Sequence, residues 1–135
     1  MSSLKLIIDK SGPMGSDCTS RDMCHLVDSE NPEQNPATPK LCDVIDFVLE
    51  SPDHWGRIDV HESYDSGADA LGECLAEFEY KDGKLLGSRA CYRKVGDRFV
   101  RSDINELLGK EVMLISVTGG WSNFNYHLCL AQSQN

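Results

Sequence analysis

The sequence predicts an α+β domain: an antiparallel sheet of five or six strands packed against one amphipathic helix (39–50), with a short second helix (103–108). Three observations carry that expectation. Apolar residues recur at helical spacing from Leu41 to Leu49. Asp82-Gly83 and Gly119-Gly120 separate alternating runs of strand length. The chain has 135 residues, 40% of them apolar, which suits one core in a single domain over 1–135.

The opening LKLIID reads as a strand with Leu4, Leu6 and Ile8 on one face, stopped by Ser11-Gly12-Pro13. Residues at about 12–37 show no period and read as a long polar loop, of a length that marks either a mobile or a functional segment. Thr38 then reads as a helix N-cap with Pro39 in the first helical position. Leu41, Val44, Ile45, Val48 and Leu49 form the buried stripe, and Ser51-Pro52 ends the helix. Asp43, Asp46 and Glu50 share its opposite face without basic partners at helical spacing.

The remainder reads as strands. Arg57 to His61 alternates, with Ile58 and Val60 inward. A two-residue Asp82-Gly83 turn sets Tyr80 against Leu85, Glu77 against Ser88 and Cys74 against Cys91. Gly96-Asp97 turns the chain back through Arg98-Phe99-Val100, and Ser102 reads as the cap of the helix closed by Gly109. In the last hairpin, Gly119-Gly120 as the turn sets Met113, Ile115 and Val117 against Tyr126, Phe124 and Ser122 as the core face. Val112, Leu114 and Ser116 then pair with His127, Asn125 and Asn123 on a half-wet face.

Charge restricts the partners. Thirteen Lys plus Arg against 22 Asp plus Glu give a net −9, which disfavours direct nucleic-acid and anionic-membrane contact. Residues 28–82 carry a balance of −12 and residues 83–135 one of +3. An acidic face on helix 39–50 therefore fits a protein partner with a basic surface. No run approaches the roughly 18 apolar residues of a membrane span, and the N-terminus lacks a signal-peptide pattern. A cytoplasmic setting with reduced thiols is the expectation.

Catalytic signatures such as a Walker loop, GxSxG, HExxH or CxxC are missing, so the reading leans toward a non-enzymatic module. Two constellations carry chemistry all the same. Cys18, Cys24, His25 and Cys42 offer four zinc-type ligands, although at irregular spacing. Asp59 and His61 point to one side of their strand, Glu62 and Asp65 follow nearby, and two of these four with His127 form a candidate carboxylate–imidazole site for metal or acid–base work. Apart from zinc, no cofactor is expected. Tyr64, Trp121 and Phe124 are aromatic candidates for a binding hot spot, and Trp55 and Trp121 also read as anchors packed over neighbouring glycines.

The segment WGRIDV after a short amphipathic helix, with Gly119, Gly120, Trp121 and Tyr126 in a GGW-x4-Y ending, resembles short uncharacterised proteins of bacteria and their mobile elements. The resemblance covers the C-terminal hairpin and residues 39–62. It implies a bacterial or phage cytoplasm and carries no activity with it. The first reading is thus a small acidic protein-binding module that inhibits a basic-surfaced, nucleic-acid-handling partner, the physical type of a phage anti-defence protein. A small enzyme or metal-dependent module at Asp59 and His61, or at the cysteine cluster, is the alternative. A subunit of a larger assembly is the third, and the oligomeric state is left undecided.

Overall fold

The last two strands of the chain form the middle of its sheet. The computed structural model describes residues 2–11 and 20–131. In order these form β1 (Leu4–Ser11), β2 (Ser20–Asp28), α1 (Leu41–Leu49), β3 (Trp55–His61), β4 (Tyr64–Asp65) and β5 (Ala70–Leu71). They continue with β6 (Cys74–Lys81), β7 (Lys84–Ala90), β8 (Tyr92–Val95), β9 (Arg98–Arg101), α2 (Ile104–Leu108), β10 (Val112–Gly120) and β11 (Asn123–Leu130). Seven strands make one sheet in the order β1-β2-β10-β11-β3-β6-β7, and β4-β5 and β8-β9 are separate two-stranded ribbons.

The expected α+β arrangement of five or six antiparallel strands against one helix is overturned. The protein is mostly sheet, 57% strand against 12% helix, and the seven-stranded sheet is mixed. Two features account for the difference. Part of the expected loop at 12–37 is strand β2, paired with β1 along one edge and with β10 along the other. The C-terminal hairpin is inserted between that ribbon and the β3-β6-β7 meander, and β11 runs parallel to β3.

Tertiary pairing also resets the helix ends. Pro39 and Lys40 are extended, because Val112 N donates to Pro39 O at 2.8 Å and Leu41 N to Lys110 O at 2.9 Å. The first helix therefore begins at Leu41, not at the Thr38-Pro39 signal, and Lys40 precedes it without a side-chain cap. Leu41, Val44, Ile45 and Val48 are buried and join Ile58, Val60, Phe78, Tyr80, Leu114 and Leu128 in one core. In the second helix Asp103, not Ser102, is the cap, and its side chain accepts from Asn105 N and Glu106 N.

Bulges change the two hairpin registers. Tyr80 faces Leu85 as expected, but a bulge there sets Glu77 against Arg89, and Cys91 N bonds to Leu75 O. In the last hairpin Gly119 and Gly120 belong to β10 and face Phe124 and Asn123, so Trp121 and Ser122 make the turn. A second bulge at Ile115 leaves Val112, Leu114 and Val117 buried opposite Leu130, Leu128 and Tyr126. Trp55 and Trp121 project outward, 51% and 79% exposed, and anchor nothing. Among the described residues no helix is long and apolar enough to cross a membrane.

The parallel seam between β3 and β11 has its own chemistry. A Cβ on Gly56 would lie 2.1 Å from the Phe124 carbonyl oxygen, so only glycine permits this approach. Side chains replace part of the backbone ladder: Arg57 N donates to Asn125 Oδ1 at 3.0 Å, and Asn125 Nδ2 donates to Asn123 Oδ1 at 3.2 Å. The Tyr80 hydroxyl donates to Phe124 O at 2.8 Å. Gly56→Ala should therefore cost on the order of 3 kcal/mol, and Asn125→Ala about 1 kcal/mol, in the denaturant midpoint. Equal small losses in the two variants would show that the seam yields without strain.

Candidate metal centre

The parallel register sets Asp59 of β3 beside His127 of β11, two positions before His61 meets Cys129. Alternation turns Asp59, His61 and His127 away from the core side chains Ile58, Val60, Tyr126 and Leu128. One ligand atom from each of the three residues lies within 4.8 Å of the others. Of the four candidates on and after β3, Asp59 and His61 are thus brought together with His127, while Glu62 pairs with Arg93 and Asp65 accepts from Gly67 N.

Hydrogen bonds orient both rings. His61 Nδ1 lies 2.9 Å from the Gly72 carbonyl oxygen, which can only accept. Nδ1 therefore donates to that carbonyl, which leaves Nε2 as the ring atom that can serve as a ligand. His127 Nε2 lies 2.8 Å from Thr118 Oγ1, while Nδ1 is 3.8 Å from Asp59 Oδ2, beyond hydrogen-bond reach. Burial, reinforced by the charges of His61, Arg21 and Arg57, brings the His127 pKa down to about 4. The imidazole is neutral near pH 7, as a metal ligand requires.

Asp59 is the anomaly. It is 5% exposed, and its Oδ1 has no hydrogen-bond partner. Its Oδ2 receives one bond of 3.3 Å from Arg57, whose own side chain is half exposed. Burial pushes the Asp59 pKa up, Arg57 opposes that, and Glu77 on the facing strand adds to it. Glu77 itself is paired with Arg89.

A short ribbon crosses this face of the sheet. Glu62 N donates to Glu73 O and Gly72 N to Ser63 O, each at 2.8 Å, closing the loop that follows β3. Arg21 on β2 donates to both oxygens of Asp69 at 2.9 Å, and Tyr64 OH donates to Asp69 Oδ1 at 2.8 Å. The loop is tied at one end by His61 and at the other by Arg21, so it reaches from β3 to β2 past β11 and β10.

The other sequence candidates are dispersed. Cys18 lies outside the described residues. Cys24 is buried on β2, with its thiol pushed up to about 12 by burial, while adjacent His25 bonds Asp9 at 2.8 Å. Cys42 lies on α1 beside Asp43. These three do not form a ligand group; among the described residues the group of three or more is Asp59, His61 and His127. Cys74, near the site, is raised to about 12 by burial and by the adjoining Cys91 thiol, and both thiols are free. Asp43, Asp46 and Glu50 are exposed on α1 and line a cleft of about 440 Å³ with Asp28 and Glu30. Tyr64 is held by Asp69, Trp121 projects from the turn, and Phe124 packs toward the core with its ring 4.7 Å from His54. Those three aromatics do not share a patch.

Thr118, Gly72 and Arg57 were not singled out by sequence. Thr118 and Gly72 carry no motif, and the contacts they make depend on the bulge in β10 and on the loop closure. Comparison with protein-family models, with curated proteins and with solved structures finds no match. The reading of the site therefore rests on its geometry.

A buried carboxylate with one oxygen unpaired costs stability that a neutral isostere does not. Asp59→Asn should raise the unfolding free energy by about 1 kcal/mol in chelator-treated protein, measured by denaturant titration. A loss of that size would instead make the Arg57–Asp59 pair a net structural contact.

Proposed function

We propose that the protein is a metal-dependent module that holds one divalent first-row transition ion between Asp59, His61 and His127. The observation that carries the reading is the buried Asp59 Oδ1, unpaired beside the His61 and His127 rings, whose outer nitrogens are already engaged. Two nitrogens and one carboxylate suit zinc and its neighbours. A cation there selects the His127 tautomer whose Nε2–H donates to Thr118, as a support for a metal-bound histidine does. Zinc bonds of about 2 Å put tetrahedral ligand atoms about 3.3 Å apart, so binding draws the three groups together by small side-chain rotations. Three protein ligands leave a coordination position for water, whose pKa such an ion lowers toward about 7.

Dialysed protein titrated with Zn²⁺ and Co²⁺ should bind one equivalent, with a thermal midpoint that rises with metal concentration. His61→Ala and His127→Ala should each weaken binding at least about 100-fold, and Thr118→Val about 10-fold. Cys24→Ser and Cys42→Ser should leave it unchanged. Binding that survives the histidine variants, or fails in the cysteine ones, defeats the proposal.

A second reading rests on the acidic cleft: α1 docks on a basic-surfaced protein through Asp43, Asp46 and Glu50, and inhibits it. The cleft's lining of five carboxylates without a basic side chain favours this reading. A complex captured from the host should weaken as salt rises, and the triple change to Lys should abolish it. Capture unaffected by both removes the acidic face from consideration.

A further inference from the structure

The exposed apolar surface is concentrated in one stretch of chain. Of nine large hydrophobic side chains exposed among the described residues, six fall between 85 and 100: Leu85, Leu86, Tyr92, Val95, Phe99 and Val100. β7 is the terminal strand of the sheet, and its residues from Lys84 to Arg89 are all exposed. β8 and β9 pair only with each other, and Phe99 in this ribbon is 73% exposed. An isolated two-stranded ribbon is marginal in water, and an exposed apolar edge invites pairing. This stretch therefore needs a cover.

Charge indicates which cover fits. Residues 84–101 contain six basic side chains and one acidic one. Arg89 is engaged by Glu77 and Arg93 by Glu62, and Arg101 stacks on Tyr92 at 5.8 Å. Two such ribbons placed face to face would repel, so the occupant must present acid. The chain's own residues 28–82, with their balance of −12, do so.

We infer that β7 and the β8-β9 ribbon form an interface with a second copy of this chain, related by a two-fold axis. In antiparallel pairing of Gly87 to Ala90 with its copy, Ala90 of one strand lies beside Gly87 of the other, and the chain beyond Ala90 runs on toward the other's Lys84 end. Each β8-β9 ribbon, which follows Ala90, is then delivered to the partner copy's Asp82-Gly83 turn. That turn is an acidic corner. Asp82 N bonds to His54 O at 2.9 Å, and a Cβ on Gly83 would lie 3.3 Å from Leu49 O at the end of α1. Glu50, Asp53 and Asp82 are exposed there and outnumber Lys81 and Lys84. The bulge at Leu86 bends the edge, so the pairing uses Gly87 to Ala90, the stretch that lies regularly against β6. The 18 residues from 84 to 101 approach the roughly 20–30 a side of a standard interface.

The interface shares no residue with Asp59, His61 and His127, so its test is independent of metal binding. Sedimentation from about 1 to 200 μM, with chelator present, should show a species of twice the 15.0 kDa chain mass. Leu86→Glu and Phe99→Glu should each give a monomer with an unchanged circular-dichroism spectrum, since both side chains are exposed. Arg98→Glu should weaken the dimer at least about 10-fold, and Asp53→Lys with Asp82→Lys in the same chain should restore it. A monomer at 200 μM in low salt overturns the inference. So does a dimer indifferent to Leu86→Glu and Phe99→Glu, or a monomer whose ribbon instead binds a polyanion such as heparin.

Discussion

The parallel seam between β3 and β11 is the constraint on which the rest of the structure depends. It is the place where the C-terminal hairpin, already paired with β2 on one side, closes onto the β3-β6-β7 meander. Without it the chain would be two separate ribbons, each with a bare edge and neither able to bury its apolar face. The seam is built by close approach. Gly56 lets the Phe124 carbonyl in, Tyr80 donates to that carbonyl, and Asn123 and Asn125 supply polar partners where the ladder is incomplete. The same register sets Asp59 against His127. Fold and candidate metal centre therefore rest on one alignment, and a slip of one residue would put His127 on the opposite face of the sheet from Asp59 and His61.

The parts of this arrangement legible in the sequence are those governed by local chemistry. The stripe on α1, the inward Ile58 and Val60, the Asp82-Gly83 turn and the β8-β9 hairpin follow from periodicity and turn residues. β2 was hidden because SRDMCHLVD has few branched or aromatic residues, and its burial at Cys24 and Leu26 depends on strands distant in sequence. The final turn was misread for a specific reason. Gly119 is needed inside the strand, where a Cβ would lie 2.2 Å from Asn123 O, and Trp121 takes the left-handed conformation at φ 58°. No propensity assigns a tryptophan to that role. The Asp59 and His61 pair was legible as same-face alternation, and His127 as a half-wet position. Their convergence was not, because parallel pairing of β11 with β3 leaves no local trace.

The ribbon across the site gives the imidazoles little freedom. Gly72 fixes one ring through a carbonyl whose position is set by its own bond to Ser63, and Arg21 anchors the far end through Asp69. That bidentate pair and the Tyr64 hydroxyl hold the Asp69 carboxyl below the usual carboxylate range. On the other side Thr118 fixes the second ring from β10. The rings are oriented from two independent elements, which is the preorganisation a low-coordination site requires.

The composition of the centre is hard to explain as packing. The Asp59 and His127 positions face each other across a seam that would accept two apolar residues, and such a pair is often the more stable choice in a buried place. The chain instead keeps a carboxylate with an unpaired oxygen beside a ring too shielded to take up a proton near pH 7. Arg57 does not resolve this, since it meets only Oδ2 and remains half in solvent. A proton on Asp59 would relieve the burial, but as a single donor it could serve only one of the two imidazole lone pairs. A divalent cation would meet all three groups at once: it would neutralise the carboxylate, use the nitrogen lone pairs and leave both outer hydrogen bonds intact. Burial, with the charges of His61, Arg21 and Arg57, keeps His127 unprotonated near pH 7. Departures of this kind from the stability optimum concentrate where a protein does its work.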